Sequence, residues 1–165
     1  MSGRIDYRLV DTPDAFVHAA EALERGRGPF AVDTERASSF RYGERAFLVQ
    51  VRRRGAGTFL IAPEGHREAA RATFAPVLND AEWIIHAAGE DLRSLALLGL
   101  HPGVLFDTEL ASRLAGYSRP NLAAMVERFV GVELEKGHGH EGWSRTPLPE
   151  PWREYAALDV EYLHE

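Results

Sequence analysis

The sequence predicts an α/β fold, a mixed sheet with helices on both faces, and three observations carry that prediction. A short apolar run, "PFAVD", precedes two alternating runs, "RAFLVQVRR" and "GTFLIA", which flank a Gly-Ala-Gly turn and read as a hairpin. Beyond the hairpin, apolar runs of strand length ("EWIIHA", "GVLFD") alternate with segments of helical period. The chain has 165 residues, 45% of them apolar, enough for one domain with a core of its own.

In chain order, "RIDYRLV" alternates as a strand. "TPDAFVHAAEALERG" reads as a helix. Thr12 caps it, Pro13 opens its first turn, Ala15, Phe16, Ala19, Ala20 and Leu23 share one face, and Gly26 stops it. "PFAVD" is a buried strand, and a polar loop then leads to the hairpin. "HREAARATFAPVL" is helical, with Pro76 restricting its end. "EWIIHA" is a strand, "EDLRSLALLG" a helix, "GVLFD" a strand and "TELASRLAG" a helix. "NLAAMVERFVG" is a further helix capped by Asn121. A Gly/His-rich loop, "EKGHGHEGWSRTPLP", leads into the last helix, "EPWREYAALDVEYLHE". That helix carries no Gly, Asn or Pro stop, so residues 1–165 are read as one domain of a longer chain.

Composition excludes several classes. Without cysteine there is neither a disulfide framework nor a thiolate zinc site, which suits a reducing cytoplasm. No apolar run approaches membrane-spanning length, and "MSGRIDYRLV" lacks the apolar core of a secretory signal. A net charge of −6 argues against a nucleic-acid binder that works by bulk attraction. The charge is uneven: residues 1–40 carry −2, residues 41–71 carry +4 and residues 72–165 carry −8. A solvated hairpin accounts for the basic segment.

The tripeptide DTE occurs twice, in "PFAVDTERASSF" and in "GVLFDTELASRL". In the first copy Asp33 and Glu35 end a strand, where residues i and i+2 share a face. Both carboxylates then project together at the sheet edge that usually holds the site in open α/β folds. Two like charges so close need a proton or a cation. The second copy runs into a helical face, Leu110, Ala111, Leu114 and Ala115, so Asp107 becomes a cap and Glu109 a first-turn acid. That role is structural and sufficient.

Further acids converge on the first copy. Asp91 falls in the first turn of the helix after "EWII", either as a functional group or as a helix-start acid, with Glu90 its rival. Tyr155 and Asp159 in "YAALD" are one turn apart on a helix and share a face, as site groups or as packing and surface residues. Asp33, Glu35, Asp91 and Asp159 are hard oxygen ligands that suit magnesium or manganese rather than zinc. Four carboxylates can hold a pair of such ions for in-line displacement at phosphorus, with Tyr155 placed to orient or deprotonate the attacking water.

"VDTE", "HAAGEDL" and "YAALDV" together resemble the three motifs of the DEDD superfamily of 3′→5′ exonucleases, in its tyrosine subgroup. "WSRTPLPEPWREYAALDVEYL" resembles the ribonuclease D family, and the likeness covers almost the whole chain. The resemblance implies a ribonuclease H-like sheet of five main strands, the second antiparallel to the rest, and 3′→5′ removal of nucleotides from RNA ends by two divalent cations. It implies that Asp33 bridges both ions and that Glu35 and Asp159 complete the ion binding the nucleophilic water. Asp91 would hold the second ion, Tyr155 would position the water, and Asp107 has no ligand role. Helical nucleic-acid-binding domains usually follow in that family. The implied substrate is an RNA 3′ end, single-stranded or on a tRNA precursor, and the implied state is a cytoplasmic monomer without a membrane.

Other residues admit two readings. Thr34, His86, Lys136 and Arg145 are candidate substrate contacts, with His86 equally a satisfied strand-end histidine. Phe40 and Tyr42 stack on a terminal base or belong to a hairpin core. Arg52, Arg53 and Arg54 track a nucleic-acid backbone or form a charged hairpin edge that blocks pairing. His138 and His140 lie in a glycine-rich loop without convergent ligands. Two rival functions stand beside the ribonuclease: the same chemistry on DNA, and a binding module without catalysis.

Overall fold

The computed structural model describes residues 4–37, 44–134, 137–138 and 141–165. Phe40, Tyr42, Lys136 and His140 lie outside the described residues. Strands β1 (Arg8–Val10), β2 (Arg27–Arg36), β3 (Ala46–Arg54), β4 (Gly57–Ile61), β5 (Glu82–Ile85) and β6 (Val104–Asp107) form one sheet in the order β1-β4-β3-β2-β5-β6. β3 is antiparallel to both its neighbours, while β1 pairs parallel to β4, and β2, β5 and β6 pair parallel in turn. The expected five-stranded mixed sheet is thus present, with short β1 added at one edge. The strand expected over "RIDYRLV" is shorter than its alternation implies, because pairing to β4 begins only at Arg8.

Helices α1 (Pro13–Glu24), α2 (Arg67–Leu78) and α3 (Ala88–Leu97) cover one face, and α6 (Glu150–Glu161) the other. α4 (Thr108–Leu114) and α5 (Leu122–Val130) follow β6. Strand alternation sorts the residues between these faces. Val49, Val51, Phe59, Ile61, Trp83 and Ile85 enter the core with α1, α2 and α3. Leu48 and Leu60 enter the core under α6, with Ala156 and Ala157. Phe16 of α1 is fully buried and meets Phe74 at 5.7 Å between ring centroids. Phe16→Ala is expected to cost about 3–5 kcal/mol, read from urea unfolding; a loss below about 1 kcal/mol would mean that α1 is peripheral.

Two details depart from the expectations. The last helix ends at Glu161 rather than running to residue 165. Arg52, Arg53 and Arg54 do not guard an exposed edge, since β3 lies between β2 and β4. They tie elements together instead. Arg53 donates to the carbonyls of Gly28 and Leu23 and lies over the Phe30 ring, Arg54 donates to the His164 carbonyl, and Arg52 pairs with Glu161.

Gly103 matters for the placement of β6. A Cβ there would sit 2.4 Å from the Asp80 carbonyl oxygen, so only glycine lets the chain enter β6 beside β5. Among the described residues, no helix is long and apolar enough to cross a membrane.

Candidate active site

On β2 the alternation that sends Phe30 and Val32 into the large core turns Ala31, Asp33 and Glu35 toward α6. Ala156, Ala157 and Val160 bury one face of α6, and one turn separates Tyr155 from Asp159 beside them. Carboxylate oxygens of Asp33, Glu35 and Asp159 then lie within 4.8 Å of one another. Asp91 enters from the opposite side, on the first turn of α3. The Thr34 hydroxyl, one residue along β2 from Asp33, donates to Asp91 and turns its carboxylate toward the strand end. Glu90 is not the partner: it is exposed and pairs with Arg36. Asp33, Glu35, Asp91, Tyr155 and Asp159 all line a pocket of about 280 Å³, with Thr34, Arg36, His86, Leu122 and Leu163.

The electrostatics follow from this crowding. Burial raises Asp33 well above the usual carboxylate range, and the charges of Asp159 and Asp91 add to it. Glu35, only 7% exposed, is pushed up to about 9 by burial and by Asp33 beside it. Asp159 rises through burial and the Glu35 charge. Asp91 rises through burial, although the Thr34 hydroxyl and Arg36 pull it back. Tyr155 is raised by burial and by Asp159, Glu35 and Asp33, so its phenol stays protonated near neutral pH. Every group in this cluster is shifted toward its neutral form when nothing else supplies positive charge.

Of the other expected contacts, Thr34 and His86 line the pocket. His86 Nδ1 lies 2.8 Å from Thr108 Oγ1, and burial holds its imidazole below the ordinary histidine value. Arg145 does not line it; its guanidinium lies 5.9 Å from the Trp152 ring centroid. His138, read as an ordinary loop residue, meets the Tyr155 ring edge-on at 5.6 Å between centroids. Asp107 caps α4, accepting from Glu109 N and Leu110 N as expected.

Two residues escaped sequence reasoning. Gln50 is fully buried opposite Asp33 in the β2–β3 register, and its amide donates to Glu35 at 3.3 Å. The available signal was a single amide interrupting the apolar run "FLVQV". Trp143 is 1% exposed and stacks on Tyr155, ring centroids 6.5 Å apart. A tryptophan in a loop otherwise rich in Gly and His was its signal.

This sheet, with acids gathered at the carboxyl end of its central strand, defines a class. Residues 7–165 match the family model for the 3′-5′ exonuclease domain, and the chain belongs to that family. Within it, the chain is similar to ribonuclease D of Escherichia coli (strain K12), at 33% identity over 96% of this chain and 42% of that protein. The crystal structure of E. coli RNase D, described as an exoribonuclease involved in structured RNA processing, superposes with a TM-score of 0.79. The identity there is 31%, over 97% of this chain and 43% of that one. A crystal structure of a protein from Bifidobacterium adolescentis superposes at TM-score 0.90 with 45% identity, over 95% of this chain and 38% of that one. The chain therefore spans less than half the length of these relatives.

Proposed function

We propose that the chain is a two-metal-ion 3′→5′ exoribonuclease domain that releases nucleoside 5′-monophosphates from RNA 3′ ends. The observation that carries this reading is the meeting of Asp33, Glu35 and Asp159 within 4.8 Å, with Asp91 beside Asp33. A cluster that favours protonation this strongly fits divalent cations, and its all-oxygen donor set fits magnesium or manganese. Asp33 would contribute to both ions, Glu35 and Asp159 to one and Asp91 to the other. When bound, such a pair supplies an activated water and neutralises charge gathering at phosphorus.

The chain's own groups do the rest. Gln50 and Thr34 hydrogen-bond to Glu35 and Asp91, fixing carboxylates that would otherwise swing apart. Trp143 and His138 hold the Tyr155 ring, so that its phenol would orient the attacking water. The pocket, near the lower end of small-ligand volumes, suits one terminal nucleotide rather than a duplex, which favours attack at an end. RNA is the proposed substrate because E. coli RNase D bears that description. A tRNA-precursor or single-stranded 3′ end, a cytoplasmic monomer, and helical nucleic-acid-binding domains in a longer protein complete the proposal.

The test is a 3′-labelled RNA oligonucleotide in magnesium or manganese, with a 3′-labelled DNA competitor. Labelled mononucleotide should appear first, and chelator should stop its release. Longer labelled fragments, or full activity in chelator, would overturn the reading. Faster loss of the DNA label would replace RNA by DNA as the substrate. Tight RNA binding in magnesium without turnover would make the domain a binding module.

A further inference from the structure

The second DTE copy does more than cap the helix that follows it. Besides Glu109 N and Leu110 N, the Asp107 carboxylate accepts from Ala87 N at 3.0 Å and from Ala88 N at 2.9 Å. Ala87 and Ala88 begin α3, whose N-cap is an alanine that offers no side-chain acceptor. Ala87 also has φ 59, a left-handed conformation in which alanine is strained. No side chain at the N-cap of α3 therefore caps its start. The end of β6 does so across the β5–β6 pairing, where Ile85 stands opposite Asp107. One residue further, Thr108 holds His86 through the contact at Nδ1. Residues 86–88 are gripped by residues 107–108, and Asp91 projects from the turn so gripped.

We propose that Asp107 is a positioning residue for the site. By capping α3 from outside, it sets the height and rotation at which Asp91 meets Thr34 and Asp33, and so the affinity for the ion that Asp91 would hold. Asp107 itself is absent from the pocket lining, so it would act through Asp91 rather than by touching ion or substrate. This deepens the nuclease reading and rests on it. If Asp107 were only a cap for α4, its loss would lower stability and leave metal binding alone.

Asp107→Ser separates the two roles, because a serine at that position can still cap α4 but is too short to reach Ala88. Thr12→Ala, which removes the α1 cap far from the pocket, is the control for lost stability. Two readouts are compared in the whole chain: amide exchange without metal, and magnesium affinity by calorimetry. Asp107→Ser should speed exchange through the first turn of α3 and weaken magnesium binding roughly tenfold or more, as loss of a group that orients a ligand does. Turnover should largely return at saturating magnesium. Thr12→Ala should change neither readout. If Asp107→Ser alters them no more than Thr12→Ala does, the proposal falls. Should Asp107→Ser not fold, Asp107→Asn is read the same way, since its amide NH₂ opposes one of the two amides of α3. A wild-type chain that binds no magnesium counts against the nuclease reading, and local exchange then still decides whether Asp107 holds α3.

Discussion

Asp33→Asn is expected to lower turnover on RNA by about 10³-fold or more while leaving the metal-free protein at least as stable as the wild type. The two effects have one cause. Asp33 is pressed against Asp159, Glu35 and Asp91, and burial already opposes its charge. An asparagine keeps the shape of the side chain and can still accept at Oδ1, the atom to which Thr34 N donates at 2.9 Å. It removes one of the charges that push Glu35 up to about 9. In chelator the variant should melt no lower than the wild type, and a gain of a few degrees is expected. In magnesium it should gain much less on adding the ion, because the carboxylate that would serve both ions is gone. Initial rates at saturating magnesium and melts with and without chelator check both halves. A variant that keeps more than a tenth of the rate would remove Asp33 from the chemistry. One that melts far lower in chelator would show that its carboxylate supports the fold.

How far the site could be read in the sequence depends on how local its causes are. The two DTE copies are identical as tripeptides, and their flanks separate them: "PFAV" makes a strand and puts Asp33 and Glu35 on one face, while the spacing after Asp107 makes a helix. Caps at Thr12 and Asn121 were likewise local, and each side chain accepts the expected amide, from Ala15 and Ala124. What could not be read depends on pairing between distant segments. The hydrogen bonds of Asp107 to Ala87 and Ala88 cross about twenty residues and exist only because β5 and β6 align. Gln50 reaches Glu35 only through the β2–β3 register. The basic segment misled for the same reason: charge pattern cannot show that Arg53 lies over Phe30 or that Arg54 meets the carbonyl of His164.

The pH dependence of stability should reveal the cluster without any substrate. Glu35 titrates near 4.5 in an unfolded chain and about 9 in the fold. Between these values the folded chain keeps a proton that the unfolded chain has released. The unfolded state then binds fewer protons, so stability falls as pH rises, by up to about 1.4 kcal/mol per pH unit for one such group. The advantage of the protonated form is complete below about 4.5 and gone above about 9. Asp33, Asp91 and Asp159 are raised too and act in the same direction. Magnesium competes with those protons, so its binding should strengthen with pH and release protons as it does. Melts in chelator should therefore drop by many degrees from pH 6 to pH 9, whereas melts in saturating magnesium should change far less, and the gap should widen steadily. A gap of constant width would mean that no proton leaves the carboxylates when the ion binds. A gap that narrows with pH would mean that the ion binds somewhere other than among Asp33, Glu35, Asp91 and Asp159.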